Sequence, residues 1–427
     1  MWRWSSLIIL LVALPATGQL TIGDAVRRAM EANPRVASSH LDASATRQRA
    51  TSAGARRWGS VDAIASWNSY DANRLLLPIS LSLFANPALG MQQLPWATEQ
   101  MHYGVAVQLP ILDAGKITES SRSARASAAG AEDSALQTED DIALSVRTTF
   151  RNALALKHAL AAADAHVAAL DRDLQDADLR LGVGSWAPLD AEKVRFAAAG
   201  AKAERAGILA QLRATEALLG SLMGERVPEG GYVLAEESAD EDPPSGATAR
   251  HDLLAAKKLA DAASHRELQA KKEFGPEVGA AFLFQQHRAS GIRAMDTHDF
   301  TLSIRLPLFD GGARLSALRD ARDARLAAQE RVRAKELEIA AQTADAEAKV
   351  EAARAQLEAG TAQRKLGSEV ARVEKLKLDQ GVGRIEDYLT ARANELRGET
   401  AYWQALYAVR NARDYQDYVA GRRLAHE

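Results

Sequence analysis

The sequence predicts a mainly α chain with a shared transmembrane β-barrel: very long antiparallel helical hairpins plus four strands per chain, arranged as two structural repeats. Three observations predict it. The stretches Lys116 to Leu181 and Ala313 to Gln380 contain no proline, four segments alternate apolar with small or polar residues, and the second half repeats motifs of the first in order. Composition agrees with this. Across 427 residues the hydrophobic fraction is 47% while aromatics are only 5%, which favours long helices joined through small side chains over a large aromatic core.

The N-terminus carries an export signal. Arg3 precedes the apolar run Leu7 to Leu14, and Ala16-Thr17-Gly18 supplies small residues for cleavage, so residues 1–18 read as a signal peptide. A run of this length falls short of the roughly 20 residues a helix needs to cross hydrocarbon. No later segment reads as a membrane helix, because the most apolar one, Leu75 to Met91, is broken by Pro78, Asn86 and Pro87. An exported chain of this kind is periplasmic, secreted or a β-barrel. The absence of cysteine excludes disulfides, thiol nucleophiles, Cys-ligated metal and N-terminal Cys lipidation. A formal charge of -3 with no basic block argues against nucleic acid as a partner.

Each half then offers the same order of elements. Leu109-Pro110-Ile111-Leu112-Asp113-Ala114-Gly115 recurs as Leu306-Pro307-Leu308-Phe309-Asp310-Gly311-Gly312, and Gly182-Val183-Gly184 recurs as Gly381-Val382-Gly383. The expected organisation is a first repeat over 19–226, an acidic Pro/Gly linker over 227–248 and a second repeat over 249–427. Strands are expected over about 58–70 and 102–110, then about 277–286 and 298–307, with hairpins over 116–223 and 313–420. Asp113 and Asp310 make turns into the helix starts.

In the first rod Ile142, Val146, Thr149, Ala153, Leu156, Leu160, Ala163, Val167, Leu170, Leu174, Ala177 and Leu181 step by four and three, a coiled-coil seam. The second rod is expected to keep the pattern less strictly, through Val350, Leu357, Leu366, Val370 and Val373, weakened locally by Gly360 and Gly367. The glycine turns after the rods do not complete a nucleotide-binding fingerprint.

The strands alternate with period two. Val61, Ala63, Ala65 and Trp67, then Tyr103, Val105, Val107 and Leu109, then Val278, Ala280, Phe282 and Phe284, then Phe300, Leu302, Ile304 and Leu306 form a greasy face. The residues between them are mostly small or polar, which suits a water-filled lumen. Four strands cannot close, since the smallest bacterial membrane barrels use about eight and open edges are not tolerated in lipid. Several copies must contribute. Three would give a 12-stranded barrel and an α-helical tunnel, hence an expected homotrimer. The connection from Tyr70 to His102 is long and apolar, through Leu75, Leu76, Leu77, Ile79, Leu81, Leu83 and Phe84, and reads as a loop packing between subunits or as added strand length. The nine histidines are dispersed, and only His158 and His166 share a possible helix face, which makes metal binding improbable. No catalytic constellation appears, so no enzyme activity and no cofactor are expected.

These residues resemble the TolC-like outer-membrane efflux proteins over nearly the whole mature chain. Thr21-Ile22-Gly23-Asp24-Ala25-Val26 through Asn33-Pro34 is similar to the family's opening helix, and Arg250-His251-Asp252-Leu253 to its counterpart, with His251 where proline is usual. Gly381-Val382-Gly383-Arg384-Ile385-Glu386-Asp387-Tyr388-Leu389-Thr390-Ala391 resembles the family's hairpin tip. The resemblance implies an exit duct in the outer membrane, reaching into the periplasm, fed by an inner-membrane transporter through a periplasmic adaptor. It implies adaptor contact at Leu181, Gly182, Val183, Gln380, Gly381 and Val382, and a periplasmic gate at Asp387, with Glu386 and Arg384 as links between hairpins. Thr390 stands where some members carry a second acid, and Pro188 and Asp190 have no assigned counterpart. The alternative is an exported periplasmic coiled-coil adaptor or scaffold.

Overall fold

The computed structural model describes residues 19–76, 94–237 and 250–424. Residues 1–18, expected to be a signal peptide, residues 77–93 of the expected connection and residues 238–249 of the expected linker lie outside the described residues, as does His426. In chain order the elements are α1 (Ile22–Ala32), α2 (Pro34–Ala55), a short 3-10 turn (Arg56–Trp58), β1 (Ser60–Leu75), β2 (Trp96–Leu112), α3 (Lys116–Gly182), α4 (Pro188–Met223), α5 (His251–Lys272), β3 (Glu277–Ala289), β4 (Ile292–Arg305), α6 (Ala313–Asp379) and α7 (Ile385–Val419). The chain forms two compact units, each drawing on both halves of the sequence. One holds His40–Ser134 and Asp252–Glu336; the other holds the remaining described segments.

The unit containing His40–Ser134 carries the sheet, an antiparallel meander in the order β1-β2-β3-β4. The strands are longer than expected at both ends of the long connection: Asp71–Leu75 and Trp96–Met101 extend β1 and β2, with a register shift between Ser69 and Arg74. Tyr70-Asp71-Ala72-Asn73-Arg74 has no alternation to reveal a strand; pairing resumes only at Arg74 with Ala97 and Leu75 with Trp96, where the Gln100 side chain also donates to the Arg74 carbonyl at 2.8 Å. Each rod begins at an aspartate, as expected. Asp113 accepts from the Gly115 and Ile117 amides, and Asp310 accepts from the Gly312 and Arg314 amides, so each carboxylate satisfies orphan donors of the following helix. Gly311 takes φ 70, and at the matching place in the first repeat Ala114 adopts φ 54 without glycine's steric freedom.

The second unit is built on helix packing. In α1, Thr21 caps the helix by accepting from the Asp24 amide, and Ile22, Ala25, Val26 and Ala29 bury one face. The Asn-Pro break has a clear physical cause. Asn33 donates from Nδ2 to the Leu222 carbonyl at 2.7 Å and accepts from the Arg35 amide at 2.8 Å, pinning the end of α4 while opening α2. Those α1 residues join Ile142, Val146, Phe150 and Leu154 of α3, Leu219 and Met223 of α4, and Tyr407 of α7 in one core. The described part of the expected linker is held in place: Leu20 bridges Leu234, and the Leu20 amide donates to the Val233 carbonyl at 2.7 Å.

Every seam residue named in α3 is buried or half-buried. By length and composition a window of α3 could cross a membrane, against the expectation that no segment after the leader would. Its apolar seam residues instead pack against neighbouring helices.

The second rod corrects the expectation more sharply. Leu366 is 65% exposed and Val370 40%. The inward positions are Ala346, Val350, Ala353, Leu357, Gly360, Arg364, Gly367 and Ala371, an unbroken four-three repeat. Its glycines are the seam itself. A Cβ on Gly360 would lie 3.2 Å from Tyr402 Cα, one on Gly367 3.2 Å from Glu395 Cα, and one on Gly398 2.9 Å from the Gln363 carbonyl, so α6 and α7 meet backbone to backbone.

Candidate functional site

Two regions carry the functional geometry, the hairpin tips and the sheet. Both rods are 67 residues long, and each is followed by a five-residue connection, 183–187 or 380–384. Gly184 and Gly381 occupy matching places in these turns and share φ 73. The sequence pairing of Gly182 with Gly381 is therefore corrected: Gly182 ends α3, and Gly381 corresponds to Gly184. The two Gly-Val-Gly triplets match in letters only, whereas equal helix lengths fix the correspondence. With that register Asp190, third residue of α4, matches Asp387, third residue of α7.

Among the gate residues expected from sequence, Arg384, Glu386 and Asp387 are all exposed. Asp387 sits in the first turn of α7, where helix amides favour negative charge, and no ion pair is formed by it among the described residues. Glu386 accepts from Lys193 of α4 at 2.6 Å, and Lys193 also donates to Asp190 at 3.2 Å. Arg384 lies 3.8 Å from Glu386. The Lys193 ammonium holds the Glu386 carboxyl below its usual range, and the two carboxylates raise Lys193. The sign follows. The link is complete above the ordinary glutamate pKa, is lost as pH falls through a lower value, and on the lysine side fails only in strong alkali.

The stronger contacts at the tip were not legible in the sequence. Asp173 of α3 accepts from the Tyr388 hydroxyl at 2.6 Å and from Lys375 at 2.8 Å, joining the two hairpins. Tyr388 is buried, and burial followed by the Asp173 bond pushes its phenol well above the ordinary value. Beneath it Ala177, Ala191, Val194 and Ile385 form a small core. Arg180 reaches Asp379 at 3.4 Å, a second bridge between rods. Tyr388 lies inside the tip motif, but Asp173 is more than 200 residues away and no spacing points to it. Of the expected adaptor-contact residues, Gly182, Val183, Gln380, Gly381 and Val382 are exposed and Leu181 is half-buried.

In the sheet, register places the expected greasy residues in common rows. Val61 pairs Val107, Val107 pairs Phe282 and Phe282 pairs Phe300; Leu109 pairs Ala280 and Ala280 pairs Leu302. Paired residues of antiparallel strands point to one side. The opposite side carries Ile64, Gly104, Gln285 and Thr297 in one row and Ser66, His102, His287 and Met295 in the next. The greasy side remains open: Val61, Phe300 and Ile304 are each more than 70% exposed. No aqueous domain leaves such a row uncovered without a partner or lipid.

A sheet with one lipid-compatible and one polar face, carried by a chain of helical hairpins, defines the subunit of a membrane conduit. The chain belongs to the outer membrane efflux protein family, whose description matches residues 25–225 and 247–414. Solved structures share the fold. VceC from Vibrio cholerae is similar with a TM-score of 0.76 at 17% identity, over 94% of this chain and 96% of that one. The CmeC outer membrane channel of Campylobacter jejuni gives 0.83 at 14% identity, over 94% and 85%. The MtrE outer membrane channel of Neisseria gonorrhoeae gives 0.73 at 18% identity, over 94% and 89%. No curated protein sequence matches the chain. The protein is thus an outer-membrane efflux channel that extends into the periplasm, and such channels are non-enzymatic. TolC-like channels are trimeric. The alternative of an exported scaffold gives way to this assignment.

Proposed function

We propose that the chain is the passive exit duct of a tripartite system, with two tandem repeats per chain and a gate at its periplasmic hairpin tips. Three copies supply the strands that one chain lacks. The polar sheet face lines the pore and the greasy face meets outer-membrane lipid. A periplasmic adaptor docks on the exposed turns around Val183 and Val382, and an inner-membrane transporter supplies the energy. The observation that carries the gate is Asp173, which holds both Tyr388 and Lys375 from the second hairpin. With the Lys193–Glu386 pair it ties the two hairpins of one chain together. Asp387 and its counterpart Asp190 lie on the first turns of α7 and α4, where copies from three chains would gather negative potential on the axis.

The test is single-channel recording from the reconstituted protein. Asp173→Ala combined with Tyr388→Phe should raise conductance several-fold by releasing the tip, while Asp387→Ala should weaken block of pore current by multivalent cations. Unchanged conductance in the double variant removes Asp173 from the gate; unchanged block removes Asp387.

A further inference from the structure

We propose that the polar face of the sheet carries a transition-metal site built from His102 and His287, a role distinct from the efflux activity. The two imidazoles belong to neighbouring strands and are directly paired in the β2–β3 register. Their Nδ1 atoms stand 2.6 Å apart with the rings edge to face, 4.9 Å between centroids and 72° between planes. Two ring nitrogens, sharing one proton, thus face one point, and His287 is 4% exposed while His102 is half-buried on the polar face of the sheet. The far nitrogen of His287, Nε2, is bonded to Thr297 Oγ1 at 2.8 Å. A hydrogen bond on the ring nitrogen away from the metal is how ligating histidines are oriented.

An ion held by both nitrogens at about 2.0–2.1 Å needs them about 3.3 Å apart, a small opening of the present pair. On binding, the proton shared between the two Nδ1 atoms leaves one ring for solvent or for the far nitrogen of His102. Among the described residues no group of three or more His, Cys, Asp or Glu side chains converges, so water completes the coordination. Met295 pairs with His287 across β3 and β4, and its thioether is the nearest further soft donor in the row. Imidazole pairs of this kind take borderline divalent ions, Cu2+ most tightly, then Ni2+ and Zn2+. Hard Mg2+ and Ca2+ have no oxygen cage here.

The test is electron paramagnetic resonance of Cu2+ titrated into the tag-free full-length protein in detergent. One site per chain with two coordinated nitrogens is expected. His102→Gln and His287→Gln should each abolish the two-nitrogen signal, Thr297→Val should weaken affinity about ten- to a hundredfold, and His298→Gln, on the opposite face, should change nothing. Absence of the signal in the wild-type protein, or its persistence when both histidines are replaced, overturns the site. If a glutamine variant fails to assemble, Thr297→Val decides, since it leaves both ligands in place; unchanged affinity there also counts against the proposal. A second readout rests on the channel assignment: bound Cu2+ adds positive charge to the pore wall and should lower cation current. Binding measured by resonance does not depend on conduction, so failure of either reading is distinguishable.

Discussion

Replacing Arg151 by alanine should destabilise the helical unit by about 3–5 kcal/mol, the range found when one partner is removed from a buried ion pair. Arg151 donates from Nε to Glu237 at 2.8 Å and from Nη1 to Asp414 at 2.6 Å. Arg147 donates to the same Asp414 oxygen at 2.7 Å, and Arg410 donates to Glu237 at 2.7 Å. Both arginines of α3 and both carboxylates are buried. The network thus staples α3, α7 and the segment ending at Glu237 together. Its removal leaves two carboxylates in low dielectric with one cation each, and the desolvation cost of both is no longer offset. Denaturant unfolding of the purified protein measures the loss. Arg151→Met, which keeps most of the volume, should be nearly as damaging, because charge rather than packing is missing. Adding Glu237→Gln to Arg151→Met should recover part of the stability; strict additivity would show that the two side chains act separately.

The second large effect concerns the sheet. Phe300→Arg should cost about 2–4 kcal/mol of membrane stability if the residue lies near the bilayer midplane, whereas Thr301→Arg, one residue on, should leave insertion intact and change conductance. Phe300 is paired with Phe282 in the greasy row and is 72% exposed. Thr301 is paired with Ala281, which is in register with Gln108 of β2, on the other side. A change of period-two phase moves the guanidinium from hydrocarbon to water. The measurement is the fraction recovered in outer membranes and the denaturant midpoint of the inserted protein. Equal penalties at both positions would mean that both faces are buried in protein.

Much of the sheet was legible because alternation with period two is a property of single strands and survives without knowledge of partners. The rods were legible for the same reason, since a proline-free four-three seam such as Ile142 to Leu181 needs no distant residue to be recognised. The features that a single segment does not reveal have a common physical origin. Gly360 and Gly367 look like helix weaknesses in isolation, and only the α7 backbone, which an added Cβ at either would meet at 3.2 Å, makes them seam positions. The large apolar Leu366 and Val370 lie instead on an exposed face. At the tips, Glu386, Arg384 and Asp387 came from a local motif, but Asp173, Lys193 and Lys375 join across hairpins, and sequence proximity carries no trace of that pairing. The Gly184–Gly381 correspondence emerged only from equal helix lengths, and with it the match of Asp190 to Asp387.

Thiol labelling tests directly which side of the sheet meets water. The chain has no cysteine, so a single introduced thiol is the sole target. Phe300→Cys and Thr301→Cys proteins, each reconstituted in bilayers, are treated with a charged membrane-impermeant maleimide. Rapid labelling at position 301 with protection at 300 is the expected result. Rapid labelling at 300 with protection at 301 would contradict a pore lined by the polar face.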